Sequence, residues 1–236
     1  MAPVDGSRPG GGHGPRPVAS APSPASAGES PAERAEWSAR HSVAAIAART
    51  AALVNVLSGP GDPVADEVAA VLRDHGEQVP DGLSARDVAE LREAAGRLRD
   101  VFTAPDADRA AERVNTLLAR CAGTLRLTSH GGASPWHPHL DSHDDAPWGE
   151  WLLASSGLAL TVLIWDRQRP PGGVCASPVC GRVFLTLGSG PVRRYCSRRC
   201  ATRERVAAHR RARRDGTPQS VDGSGGGTFR RRRGPV

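Results

Sequence analysis

Lysine is absent from this chain of 236 residues: its 31 basic side chains are all arginine. Alongside abundant Ala, Gly and Pro, this reads as the coding bias of a high-GC genome, so an arginine at any one position says little by itself. Aromatics are scarce as well, 4% of residues with one Tyr and three Phe. A core must therefore come mainly from Leu, Val and Ala, which permits a modest helical domain. No uninterrupted apolar run reaches the roughly 18 residues of a membrane span. The best candidate, Leu152 to Trp165, is broken by Ser155, Ser156, Gly157 and Thr161 and reads as a core helix. Residues 1–33 hold no apolar signal-peptide core. The expectation is a cytoplasmic protein without a membrane partner, where clustered cysteines favour metal over disulfides. A phosphate-binding glycine loop, a nucleophile elbow and a His-Glu-x-x-His pair are all missing, so an enzyme is not expected.

What is present is uneven. The net charge of +6 conceals a basic C-terminal portion: from Cys175 to Val236 there are fifteen Arg against Glu204, Asp215 and Asp222. The rest of the chain is net acidic. Such asymmetry fits a nucleic-acid or anionic-surface binder, or a merely solvated basic tail. Residues 1–35 are low-complexity and too poor in large apolar groups to repay the entropy of ordering, and 215–236 are similar, with the run Arg230 to Arg233.

Between them, residues 36–168 read as helices. Trp37, Val43, Ile46, Ala47, Leu53, Val54 and Leu57 lie at helical spacing, stopped by Gly59-Pro60-Gly61. Val64, Val68, Val71 and Leu72 repeat the pattern. Ser84 with Asp87 resembles a capping box opening a helix through Leu91 and Phe102, and Asp106 suits another start. The period then changes. Leu125 and Leu127 alternate, Gly131-Gly132 offers a turn, and Trp136, Pro138 and Leu140 alternate again, which predicts a short hairpin with an edge strand. Trp148, Trp151, Leu152, Ala159, Val162 and Leu163 give the next helix a buried face, and Pro170 to Gly173 form a linker.

The sharpest pattern is Cys175-x4-Cys180, fifteen residues, then Cys196-x3-Cys200. Two close thiol pairs around a hairpin-length insert match a structural zinc site, because a tetrahedral ion takes about four soft ligands and a short loop supplies two without strain. Val183 to Leu187, Gly188-Ser189-Gly190, then Val192 to Tyr195 read as strand, turn, strand, and Cys200 to Arg214 as a helix. The expected fold class is thus mainly α: a helical domain with a short β-hairpin, then a small treble-clef-like zinc finger at 174–214, built of β-hairpin plus helix. Neither pair has the two-residue spacing of a redox dithiol, and four sulfurs leave no open position for catalysis. Cys121, alone on an apolar helical face, reads as a small buried hydrophobe.

The finger carries its arginines densely. Arg193, Arg194, Arg198, Arg199 and Arg203 suit an outer shell offsetting the charge of four thiolates. Arg203, Arg210 and Arg214 fall roughly on one helical face, and Val206 and Ala207 could pack on the hairpin. Guanidinium groups clamp phosphates and reach guanine edges. Arg193, Arg194, Arg198, Arg199, Arg203, Arg210, Arg211 and Arg214 are the candidate DNA contacts. The alternative is a helix that only keeps the protein soluble.

The stretch Cys175 to Arg214 resembles the CGNR zinc finger of bacterial regulators. The resemblance rests on the x4 cysteine pair, the strand Phe184-Leu185, the run Arg193-Arg194-Tyr195-Cys196-Ser197 and the helix ending in His209-Arg210-Arg211. Two features depart from it. The family's Gly-Asn-Arg after the fourth cysteine reads Ala201-Thr202-Arg203 here, and the second pair has three intervening residues where four are expected. Upstream, Leu53 to Leu57, the Leu91 to Phe102 helix and the hairpin with Trp136 resemble the ABATE domain that usually precedes this finger. The resemblance covers roughly residues 40–214. It implies a helical regulatory domain sensing an unknown signal and a DNA-binding finger holding Zn2+.

Three smaller groups stand apart. His130, His137, His139 and His143 lie near Asp141, Asp144 and Asp145, scattered along a Gly- and Pro-containing hairpin, and read as polar loop residues. A second metal or an enzyme in the helical domain is the rival reading. Trp148, Trp151 and Trp165 read as core, and Asn55 as a buried hydrogen-bonding point. The expected function is a DNA-binding transcription regulator with an unknown small-molecule effector, and as a homodimer if one finger grips DNA weakly. An RNA- or ribosome-associated zinc protein is the alternative, disfavoured by the lack of stacking aromatics beyond Tyr195 and Phe229.

Overall fold

The computed structural model describes residues 30–215, apart from positions 80, 122, 133, 189, 191 and 192. Residues 1–29 and the tail with Arg230 to Arg233 lie outside the described residues. The first helix, α1, spans Pro31–Arg40 and the second, α2, spans Val43–Leu57. The apolar run from Trp37 to Leu57, read as one helix, is thus broken at His41 and Ser42. Ser42 ends the first by starting the second: its Oγ accepts the Ala45 N–H at 3.2 Å, an N-cap.

After α3 (Ala65–Asp74), α4 (Ala85–Phe102) opens on the capping box. Ser84 Oγ accepts the Asp87 N–H at 3.1 Å, and Asp87 Oδ2 accepts the Ser84 N–H at 2.9 Å. Asp106 caps α5 (Ala107–Leu118) through the Arg109 N–H at 2.8 Å. The core helix is α6 (Trp148–Arg167), against which α2, α4 and α5 pack. By length and composition α6 could cross a membrane, yet more than half of it is buried inside the protein. Trp148 and Trp151 are buried on it, edge to face at 5.2 Å. Trp165, expected beside them, is 74% exposed: it lies in the last turn, beyond the helices that cover the rest.

One charge is buried in this core. Arg49 is ion-paired to Glu77, donates to Ser155 Oγ at 2.9 Å and lies 4.3 Å over the Trp151 ring. Thr50 Oγ1 and Ser156 Oγ share a hydrogen bond of 2.8 Å beside it.

The central hairpin pairs β1 (Arg126–Thr128) with β2 (His137–His139), with Arg126 opposite His139 and Thr128 opposite His137. The period of two is as expected, but the faces are reversed. Leu125, Leu127 and Trp136 are 59, 64 and 70% exposed, while His139 is buried. The polar set turns toward the body because it is internally paired, as described below.

The second sheet pairs β3 (Gly172–Val174) with β4 (Val183–Leu185), and the last helix is α7 (Arg198–Asp215). The predicted partner for β4 lay downstream at Val192 to Tyr195. The actual partner is upstream, in the Gly-Gly stretch read as linker. The loop closing this hairpin is the first cysteine pair itself. Gly172 permits the pairing: a Cβ there would stand 1.9 Å from the Phe184 carbonyl oxygen. β4 also belongs to the helical core. Val183 is buried in it, and the Asn55 side chain of α2 holds the strand by donating to the Val183 carbonyl at 3.0 Å and accepting the Val183 N–H at 2.8 Å. Arg99 of α4 donates to the Gly181 carbonyl at 2.6 Å.

Candidate metal centre and basic helix

The loop between β3 and β4 presents Cys175 and Cys180, shaped by the Cys175 N–H to the Arg182 carbonyl at 2.8 Å and the Cys180 N–H to the Ser177 carbonyl at 3.0 Å. Cys196 precedes α7, and Cys200 sits in its first turn. Ser197 caps that helix, its Oγ accepting the Cys200 N–H at 3.2 Å. The four sulfurs lie within 4.8 Å of one another, with Cys180 to Cys196 at 3.6 Å and Cys196 to Cys200 at 3.7 Å. Zinc–sulfur bonds of about 2.3 Å in a tetrahedron put sulfurs roughly 3.8 Å apart, so the donor set fits that ion. None of the four is in a disulfide.

The thiols differ in acidity. At Cys175 burial raises the pKa, but the N–H groups of Cys196 and Ser177 and the thiols of Cys196 and Cys180 together outweigh it and draw the thiol down to about 7. Cys196 is pushed up to about 12, by burial first and then by the neighbouring thiols. Four sulfurs this close cannot all ionise alone, whereas a divalent cation deprotonates its thiol ligands outright.

Arg203, the retained arginine of the family signature, turns inward. It donates to Ser177 Oγ at 2.7 Å and lies 3.5 Å from Cys200 Sγ, while Ser177 Oγ donates to Glu204 Oε1 at 2.6 Å. It braces the metal loop against α7. No spacing rule singled out buried Ser177 or Glu204. Arg193 donates to the Cys196 carbonyl at 2.9 Å and sits 5.5 Å over the Phe184 ring, and Arg194 lies 5.8 Å over Tyr195. Arg198 and Arg199 are exposed rather than folded over the sulfurs.

Helix α7 has 18 residues, about 27 Å at 1.5 Å per residue. Among its described side chains only Cys200 is buried, with Ala201, Glu204 and Ala207 half-buried. Val206, expected to pack on the hairpin, is 44% exposed. Arg205, Arg210, Arg211, Arg213 and Arg214 are exposed, so the distal two-thirds of the helix is a cationic rod leaving the body.

In the helical domain, the hairpin histidines are gathered rather than scattered. His130, His137 and His139 offer ligand atoms within 4.8 Å of one another. His143 stays outside, exposed and paired with Asp145 at 2.6 Å. Cys121 is half-buried, its Sγ 3.7 Å from the Leu117 carbonyl, and burial raises its pKa.

Fold and sites together define a class: a helical domain fused to a four-cysteine, metal-fitted finger that ends in a basic helix. Residues 53–166 match the family model ABATE, described as "Putative stress-induced transcription regulator", and residues 173–214 match the CGNR zinc finger. The chain thus carries an ABATE match followed by a C-terminal CGNR zinc finger match. No curated protein matches the chain.

Proposed function

We infer that the protein is a transcription regulator that grips duplex DNA with α7, held in place by zinc on Cys175, Cys180, Cys196 and Cys200. The observation that carries this reading is the exposed arginine rod anchored at one end by the metal-fitted cysteines. Its width suits a major groove, and its guanidiniums suit phosphates and guanine edges. The ABATE description supports a regulatory role for the helical domain. In this reading the protein works in the cytoplasm, is not an enzyme, and doubles its grip by dimerising. The finger's metal is structural, since its ligands are all sulfur.

The test is binding of the full chain to fluorescent duplex DNA across salt concentrations. Arg210→Ala with Arg214→Ala should weaken binding and lower the salt slope by about 1 to 2, one phosphate contact per arginine. Arg203 is left intact, because it braces the metal loop. Unchanged affinity and slope would remove α7 from the interface, and tighter binding to RNA of matched length would favour an RNA-associated role.

A further inference from the structure

The three hairpin histidines are arranged in a way hydrogen bonding among themselves does not explain. His137 Nε2 lies 3.2 Å from His130 Nε2 and 3.0 Å from His139 Nε2. Two of the rings turn their other nitrogen to a hydrogen-bond acceptor, and the third stands beside a carboxylate. His139 Nδ1 is 2.8 Å from Asp141 Oδ1, His130 Nδ1 is 3.0 Å from Asp144 Oδ2, and His137 Nδ1 is 2.8 Å from the Pro135 carbonyl. A carboxylate or carbonyl can only accept, so these partners place the proton of neutral His137 and His139 on Nδ1, while His130 Nδ1 lies beside Asp144 without hydrogen-bond alignment. The Nε2 atoms of His137 and His139 then direct lone pairs at one another, with His130 Nε2 beside them. Two lone pairs at 3.0 Å repel. A single cation satisfies all three nitrogens.

The surroundings are those of a metal site. Histidine ligands characteristically donate their second N–H to a carboxylate or carbonyl, which fixes the tautomer and aims the ring. Both carboxylates are themselves oriented: Arg126 Nη2 bonds Asp141 at 3.1 Å and Asp144 at 2.7 Å, and Thr128 Oγ1 donates to Asp144 at 3.0 Å. Asp141 is 2% exposed, an expensive place for a carboxylate without a task. The backbone contributes as well. His130 has a φ of +50°, a left-handed conformation that residues other than glycine seldom take, and it swings this ring back toward β2. On another side Trp37 of α1 lies 5.1 Å from the His137 ring and stacks on His41 at 3.9 Å, forming an aromatic wall.

The geometry points to a second metal site in the ABATE domain: His130, His137 and His139 bind one divalent late-transition-metal ion through their Nε2 atoms. Metal–nitrogen bonds of about 2.0 to 2.1 Å set tetrahedral ligand nitrogens roughly 3.3 Å apart, close to the observed spacing. Imidazole nitrogens select zinc, copper, nickel or iron over magnesium and calcium. Three neutral ligands leave at least one coordination position for water or an anion, unlike the closed four-sulfur site of the finger. The site therefore binds an ion that can still take a further ligand. Its existence does not depend on what α7 binds.

The experiment is metal counting on the full chain, reconstituted with zinc and then with cobalt. Two equivalents per chain are expected. Cys180→Ser with Cys196→Ser should leave one equivalent, and in the cobalt form should lose the sulfur-to-metal charge-transfer bands while keeping the weaker visible bands of a nitrogen and oxygen site. His137→Ala with His139→Ala should do the reverse, keeping the charge-transfer bands. Asp141→Asn preserves shape and should weaken the second equivalent by roughly 10- to 100-fold in competition with a chelator, which keeps the test meaningful if the double histidine variant unfolds. One equivalent in the unaltered protein would overturn the proposal. So would a second equivalent that survives both the histidine and the Asp141 variants, since the ion would then be held elsewhere.

Discussion

Asn55 shows how far a single residue can be read. An amide inside an apolar helical run must find partners, and that much is visible in the sequence. Its partner is the backbone of Val183, 128 positions along the chain, which no local pattern reveals. The amide satisfies both the N–H and the carbonyl of one strand residue, so truncation leaves both without their partner. Asn55→Ala is expected to destabilise the protein by about 2 kcal/mol, measured by urea unfolding. A change under about 0.5 kcal/mol, the range of ordinary surface substitutions, would mean that water replaces the amide and that the latch is incidental. Arg203 carries a similar lesson. Its residue type suggested a contact with DNA, whereas its nearest partners are a serine and a thiol of the metal loop.

At the level of elements, legibility followed the range of the interactions. The capping box at Ser84, the Asp106 cap and the apolar face of α6 rest on neighbours within one turn and are readable directly. The central hairpin was readable as a period but not as a choice of face. Leu125, Leu127 and Trp136 have the hydrophobicity, but Arg126, Asp141, Asp144 and His139 form ion pairs with one another and take the inner side. The finger hairpin misled for the opposite reason. Gly172 and Gly173 look like a linker because glycine is a poor strand former, yet only glycine lets β3 approach β4 so closely. Gly172→Ala is accordingly expected to force the strands apart at a cost of roughly 1–3 kcal/mol. The readout is zinc retention against a competing chelator, since the two strands carry the first thiol pair. Retention equal to that of the unaltered protein would show that the sheet adjusts freely and that the close approach is not required.

Across the whole molecule, the finger is two structures with different sources of stability. β3 and β4 share the core of the helical domain: Val183 is buried there, Val174, Leu185 and Leu187 pack on it, and Asn55 and Arg99 bind the loop backbone. No described residue of helix α7 belongs to that core. Its attachments include Cys200, the Ser197 cap and the Arg203–Ser177–Glu204 contacts, which gather around the sulfurs. Helices of this length are marginal in water when they stand alone, and a row of arginines adds repulsion between like charges. Loss of the metal should therefore not unfold the protein uniformly. In hydrogen exchange, Cys180→Ser with Cys196→Ser is expected to strip protection from 198–215 while α2, α4 and α6 keep theirs. The Val183 amide, bonded to Asn55, should stay protected with them. The variant is preferable to a chelator, which would also remove an ion from the histidine site. If α7 kept full protection without its thiol ligands, the rod would be self-supporting, and zinc would no longer be what presents it to a partner.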